Sequence, residues 1–211
     1  MMTITVLTAT RAEYGLLSPI IKRIQQDPDL KVRVVVTGAH LSPEFGYTYR
    51  EIEEDGIAID EKIAILEKGD GALAVSKTMA NAISKFAEYF QRKKTDALLV
   101  LGDRYETLAV CIAAMNEQIP IIHLHGGETT QGAVDEAIRH SISKMSYLHF
   151  TSTEEYRRRV IQLGENPDRV FCVGAMGVEN ALKMPLLSKI ELEESIGISL
   201  NMPYIVATYH P

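Results

Sequence analysis

Cysteine is scarce in this chain, with two residues in 211, Cys111 and Cys172. Each lies in an apolar run, so both are read as small buried hydrophobes, and two such residues make neither a disulfide framework nor a zinc site. Positive charge is also short. Twenty-two Lys and Arg against 28 Asp and Glu leave a net charge of -6. That balance argues against nucleic acid or an anionic membrane surface as the main partner, yet leaves room for one anionic small molecule held by a local Arg and His cluster. No apolar run approaches the ~20 residues needed to span a bilayer. The N-terminus MMTITVLTAT lacks a basic n-region and a small-residue cleavage site and reads as a strand, and a cytoplasmic location is expected. Repeats and low-complexity segments are absent. The first strand-to-helix turn contains no GxGxxG, so NAD and FAD are not expected. There is no HExxH and no His-carboxylate cluster of recognised spacing, so no metal is expected either.

What is present is an ordinary globular composition, 46% hydrophobic and 24% charged, at a length suited to one large domain or one and a half. Short β-branched runs alternate with amphipathic stretches. Strands are predicted over 3–9, 31–37, 61–66, 96–101, 120–124, 148–152 and 170–173. Helices are predicted over 13–26, 49–54, 70–92, 105–117, 134–146 and 154–163. Near-continuous apolar strands separated by helices indicate an α/β fold, a Rossmann-like parallel sheet flanked by helices. The tail differs. Residues 186–197 read as a polar connecting helix, and 204–209 (YIVATY) as a new strand that nothing in the chain completes. The expected division is therefore an N-terminal Rossmann-like domain over 1–185, followed over 186–211 by a connecting segment and the first strand of a truncated second domain.

The segment PIIHLHGGETTQGAVDEAIRH (120–140) concentrates the chemistry. An apolar strand empties into a turn holding His123, His125, Gly126, Gly127 and Glu128, with Asp135, Glu136, Arg139 and His140 on the helix beyond. Ligands of open α/β sheets sit past the carboxyl ends of strands. His125, Glu128 and Asp135, with Asp103 from the neighbouring strand end, are candidates for acid-base work near neutral pH. His123 reads as a hydrogen-bonded core histidine. Glu136 and His140, four apart on one helix face, read as an ion pair. Three other strand ends add candidates. Arg11 stands at a helix N-terminus, where a guanidinium and free N–H groups suit a phosphate, the alternative being a surface salt bridge. Asp103 equally suits the N-cap of the next helix, with Arg104 its charge partner. His40 follows the second strand in a loop around Pro43 and Gly46 that can close over a ligand, or else is an exposed loop histidine.

Six ordered stretches together carry a resemblance: TRAEYG (10–15), TGAHLSPEFGYTYREIEEDG (37–56), GDRYE (102–106), HLHGGE (123–128), VDEAIRHSISKMS (134–146) and YIVATYHP (204–211). They resemble the hydrolysing UDP-N-acetylglucosamine 2-epimerases of the branch that feeds sialic and related nonulosonic acids. The resemblance implies the N-terminal half of a glycosyltransferase-B type two-domain fold, with the active site between the domains, and a homo-oligomer, dimer or tetramer. It implies that UDP-N-acetylglucosamine is converted to UDP and N-acetylmannosamine, by elimination to a 2-acetamidoglucal and rehydration, without metal or nicotinamide. The same reaction on a UDP-diacetamido-trideoxyhexose, for legionaminic acid, is the alternative; a sugar transferase of the same architecture is a third reading, and a non-catalytic nucleotide-binding or assembly domain a fourth. Asp103 and Asp135 match acidic active-site positions of the family. Arg11 and His210 match groups that approach the UDP phosphates, and Arg139 and His140 match an Arg-His pair on the helix after the glycine turn. Some members read H-x-E-G-G-E where this chain reads His-Leu-His-Gly-Gly-Glu, so either His125 or Glu128 is expected to take the role of that missing glutamate. The 211 residues alone are expected to lack turnover.

Overall fold

The computed structural model describes residues 1–183 and 185–208. Seven strands and eight α-helices alternate: β1 (Met2–Thr8), α1 (Arg11–Gln25), β2 (Leu30–Val36), α2 (Tyr49–Glu54), β3 (Ile59–Lys62), α3 (Ala72–Arg92), β4 (Ala97–Leu101), α4 (Tyr105–Asn116), β5 (Ile121–Leu124), α5 (Val134–Met145), β6 (Leu148–Thr151), α6 (Glu154–Gln162), β7 (Val170–Cys172), α7 (Met176–Lys183) and α8 (Lys189–Ile196). Two 3-10 turns, Gly38–Leu41 and Pro43–Phe45, follow β2. The sheet is parallel throughout, in the order β3-β2-β1-β4-β5-β6-β7. Its direction of growth reverses between β1 and β4, and that switch point is where open α/β sheets leave a crevice.

The central strands alternate between two cores because successive side chains point to opposite faces. On one face Val35, Leu98, Val100 and Ile121 meet Phe86 and Tyr89 of α3 and the small residues Ala109, Ala113 and Ala114 of α4. On the other, Val34, Val36, Leu99 and Leu101 meet Leu17 and Ile21 of α1 and Ile52 of α2. A strand buried on both faces has no polar positions to offer, which is why ALLVL over 97–101 is wholly buried.

Four expectations need correction. The third strand lies over Ile59–Lys62, not 61–66. The ladder with β2 carries a register shift at Val34/Val35 and runs out where β2 itself ends at Val36, and Ile63 and Ile65 are buried in the core beyond it. Helix α7 was not anticipated. It packs on α1, with Met176 buried and the Asn180 amide donating to the Gly15 carbonyl at 2.9 Å. That carbonyl is free because Pro19, four residues on within α1, has no N–H to give it. Cys172 is exposed, since β7 is the sheet edge and its outer residues lack a covering layer. Over 204–208 no strand forms: Tyr204, Ile205 and Val206 are exposed and no ladder adjoins them. The remainder of that expected strand, Tyr209, lies outside the described residues. The connecting helix is present as α8, closed by a Ser188–Glu191 capping box and by Gly197 in the left-handed region.

Candidate active site

Three turns meet at the carboxyl edge of the sheet around the switch point. The first follows β1. Thr10 caps α1 by accepting from the Glu13 N–H, and Glu13 returns its carboxylate to the N–H groups of Ala9 (2.7 Å) and Thr10 (3.2 Å). This reciprocal box fixes the entry of the helix. The second Glu13 oxygen is buried and has no partner. Burial pushes this carboxyl up to about 7, against the pull of the Ala9 N–H and of Arg104. Arg11, the first helical residue, projects outward and pairs with Glu51 at 2.9 Å. The salt-bridge alternative is thus realised, on a side chain that stays largely exposed.

The second turn follows β4. Its carbonyl at Gly102 accepts from His123 Nε2 at 2.8 Å. A carbonyl only accepts, so Nε2 carries the proton, and Nδ1 of the neutral ring faces the Ser143 hydroxyl at 3.2 Å. His123 is wholly buried and burial pushes its pKa down to about 4. It is the core histidine expected, and it ties the Gly102-Asp103 turn to β5 and α5. Asp103 does not cap α4, which has no side-chain cap. It instead binds the Arg139 guanidinium from α5, with Thr130 also on that guanidinium at 3.3 Å. Arg139 is buried, and its Nε and other terminal nitrogen have no partner. It can therefore serve Asp103 and still offer donors. Arg104 pairs with the buried Glu106 at 2.8 Å, rather than with Asp103.

The third turn follows β5. His125 has φ +62°, a left-handed backbone seldom adopted outside glycine. Its Nδ1 lies 3.0 Å from Glu128, which also accepts from the Ser152 hydroxyl at 2.6 Å. Nε2 of His125 is shielded from water and has no partner. Burial alone would raise the Glu128 carboxyl, but the His125 and Ser152 donors outweigh it and hold the group below its ordinary value. The paired glycines are sterically required. A Cβ on Gly126 would stand 3.0 Å from both the His123 ring and the Ser143 hydroxyl, and one on Gly127 only 2.4 Å from the Tyr156 carbonyl. Asp135 is half-buried in the first turn of α5, one helical turn before Arg139. Among the described residues its side chain makes no hydrogen bond.

Two sequence candidates turn away from this edge. His40 is fully buried, with Nε2 3.0 Å from Thr8 Oγ1 and Nδ1 2.8 Å from Thr48 Oγ1. Both nitrogens are occupied and burial pushes the pKa down to about 4. His40 pins the loop after β2, and it is buried where an exposed loop histidine was the alternative. His140 lines a separate groove between α4 and α5 with Leu108, Ile112 and Met145, 3.8 Å from Glu136. The Glu136–His140 pair is thus the helical contact expected, and His140 faces this groove rather than Asp103. His210 lies outside the described residues. Sequence reasoning passed over Ser152, Thr130 and Ser143, which orient Glu128, Arg139 and His123. No local pattern marks them, since each acts across 9 to 24 residues of sequence. Among the described residues no group of three or more His, Cys, Asp and Glu is arranged to hold a metal.

A family model described as UDP-N-acetylglucosamine 2-epimerase matches residues 22–211. The GDP/UDP-N,N'-diacetylbacillosamine 2-epimerase (hydrolyzing) of Campylobacter jejuni is 46% identical over 208 residues, covering 99% of this chain and 54% of its own length. The polysialic acid biosynthesis protein P7 of Escherichia coli is 43% identical over 205 residues, covering 97% of this chain and 52% of its own length. In fold, the crystal structure of UDP-GlcNAc 2-epimerase from Neisseria meningitidis bound to UDP-GlcNAc aligns with a TM-score of 0.76 at 23% identity, over 94% of this chain and 52% of that one. The chain thus spans about half the length of the relatives it matches, and its sheet is the N-terminal half of a glycosyltransferase-B-like fold.

Proposed function

The chain belongs to the UDP-N-acetylglucosamine 2-epimerase family, and from that premise we propose that the whole protein is a hydrolysing 2-epimerase of a UDP-linked 2-acetamido sugar. It would act on UDP-N-acetylglucosamine or a UDP-diacetamido-trideoxyhexose, in the making of a sialic or legionaminic type acid. The division at about residue 185, a second nucleotide-binding domain beyond it and a homo-oligomeric assembly belong to the same proposal. What carries it is the pairing, at one sheet edge, of a carboxylate held by a buried arginine (Asp103–Arg139) with an imidazole held by a carboxylate (His125–Glu128).

In this reading a base removes the proton at C2 while the C1–O bond to UDP breaks, leaving a 2-acetamidoglucal. Water then adds at C1 and a proton returns to the opposite face of C2. The C2 proton has no carbonyl to acidify it, so much of the barrier rests on charge developing on the diphosphate, where cationic donors matter most. Arg11, Arg104 and the spare donors of Arg139 supply those in this half, and His210 is their expected counterpart from the other. Asp103 and Asp135 supply carboxylates for the two faces.

Between His125 and Glu128, the proton-transfer role is assigned to His125. Its Nδ1 is fixed by Glu128, so the unpartnered Nε2 is the nitrogen left to take or give a proton. Glu128, already accepting two donors and held below its ordinary pKa, is a weak base and a good orienter. The test is the full-length protein turning over UDP-N-acetylglucosamine in heavy water. UDP should be released and the N-acetylmannosamine should carry deuterium at C2; product keeping its original hydrogen there would sink the mechanism. Asp103→Asn, Asp135→Asn and His125→Gln should each lower kcat by ~10²-fold or more, the usual worth of an acid-base group. Glu128→Gln should cost less, and the reverse order of the last two would transfer the role to Glu128.

A further inference from the structure

A second cavity opens on the same sheet edge, on the side of β2 and β3. It has a volume of about 840 Å³ and lies between the two 3-10 turns after β2 and the segment 64–70 after β3. One end reaches Gly38, which packs against Ala9 of the β1 turn, and another reaches Tyr105, two residues on from Asp103. The cavity therefore adjoins the candidate active site without sharing its acid-base groups.

Its walls are preformed. Segment 64–67 is tied to α3 by the Glu67 N–H donating to Thr78 Oγ1 at 3.0 Å and by Asn81 donating to Glu67 at 2.8 Å. The opposite wall is held by His40, bonded at both nitrogens, and by the Ser42 cap. Phe45 and Leu66 line it with 57% and 37% of their surface exposed, apolar side chains with nothing yet against them. Its charged residues are Glu44, Glu67 and Asp70 against Lys68 alone. Such a surface repels a diphosphate and suits a neutral group that is partly apolar. Polar capacity remains, because the Ser42 and Thr78 hydroxyl oxygens accept from backbone N–H groups and keep their own protons to donate.

We propose that this cavity is the subsite for the substituents at C4 and C6 of the sugar, and that it selects a 4-acetamido-6-deoxy hexose over one with hydroxyls there. The proposal rests on the reading of the whole protein as a UDP-sugar 2-epimerase. A 4-acetamido group and a C6 methyl are the two points at which N,N'-diacetylbacillosamine differs from N-acetylglucosamine. Both are neutral and both add apolar surface. The acetamido carbonyl needs a donor, which Ser42 or Thr78 offers, and its N–H needs an acceptor, which the carboxylate rim offers. The methyl and acetyl carbons fit against Phe45 and Leu66.

The experiment compares the full-length enzyme with its Phe45→Ala and Leu66→Ala variants on UDP-N,N'-diacetylbacillosamine and UDP-N-acetylglucosamine, reading UDP release and deuterium at C2. The wild type should favour the diacetamido sugar in kcat/KM. Each variant should lose about tenfold or more on that sugar while changing less than about threefold on UDP-N-acetylglucosamine, the scale on which an apolar pocket discriminates. Both side chains are exposed, so the variants should fold, and unchanged melting temperatures check that they do. If deuterium enters C2 but the wild type shows no such preference, or the variants lower both sugars equally or neither, the subsite is overturned and the epimerase reading stands. If the wild type releases UDP from neither sugar, that reading falls and the subsite with it.

Discussion

Glu13→Gln isolates the least comfortable charge in the domain. The native carboxyl closes a capping box with one oxygen and leaves the other buried without a partner. Its pKa rises from an ordinary 4.5 to about 7, so the folded state holds a proton that the unfolded chain releases across that interval. Below about 4.5 the group is neutral in both states and costs nothing. As pH rises towards 7 the folded state is penalised for each increment of ionisation, and above 7 the penalty is constant. At ~1.4 kcal/mol per pH unit the interval amounts to ~3 kcal/mol, an upper limit because the side-chain stem is partly exposed. Glutamine keeps an oxygen for the Ala9 and Thr10 N–H groups and places its amide nitrogen where the unpartnered oxygen stood. Urea unfolding of wild type and variant in parallel, from pH 4.5 to 8, reads the difference directly, since every other titration cancels between the two. The variant should match the wild type at pH 4.5 and exceed it by ~2–3 kcal/mol at pH 8. A difference that does not change with pH, or a variant weaker throughout, would mean that Glu13 is ionised in the fold and valued as a helix-terminal anion.

Two further outcomes follow from groups nearby. His40 and His123 both carry pKa values pushed by burial to about 4, so the unfolded chain takes up their protons first and stability should fall as pH drops from 6.5 towards 4. Glu13 opposes them over most of that range. Near pH 5.5 the slope should be ~1.4 kcal/mol per unit steeper in Glu13→Gln than in the wild type, measured by the same urea titrations; a flat profile in both would refute the burial of the imidazoles. Gly127→Ala should cost ~3 kcal/mol or more, because a Cβ there meets the Tyr156 carbonyl at 2.4 Å on a backbone with φ +80°. A melting temperature within a degree or two of wild type would show that the turn has room to move.

The fold was legible in the sequence where burial is two-sided. Runs such as VVV over 34–36 and ALLVL over 97–101 leave no polar face, and a covered parallel sheet accommodates them, so β1, β2, β4, β5 and β6 fell where expected to within two residues. Edge elements were less legible. The limit of β3 depends on where its partner β2 ends, and the place of α7 depends on a carbonyl freed by Pro19, some 160 residues earlier; neither is visible locally. The candidate site divides the same way. That chemistry would gather at the strand ends could be read from the glycine turn and its titratable neighbours. Which side chains face the crevice could not, because direction is set by partners distant in sequence. Thr8 and Thr48 draw His40 inward, and Asp103 takes Arg139 while His140 turns to the groove between α4 and α5.

In HLHGGE three consecutive residues look equally suited to a flexible turn, but the three positions are constrained differently. Gly126 is excluded from having a side chain by the His123 ring and Ser143, and Gly127 by the Tyr156 carbonyl. Position 125 has φ +62° and bears a side chain nonetheless. A glycine there would relieve backbone strain of ~1–2 kcal/mol, and the turn already contains two glycines, so nothing in its shape opposes a third. The imidazole is held in that conformation with Nδ1 3.0 Å from Glu128. The interactions that fix it, Glu128 on Nδ1 and Ser152 behind Glu128, orient the ring and leave Nε2 free. A backbone outlier whose ring is aimed by Glu128 and Ser152 suits a group used for proton transfer and supports the proposal of His125 over Glu128 in that role.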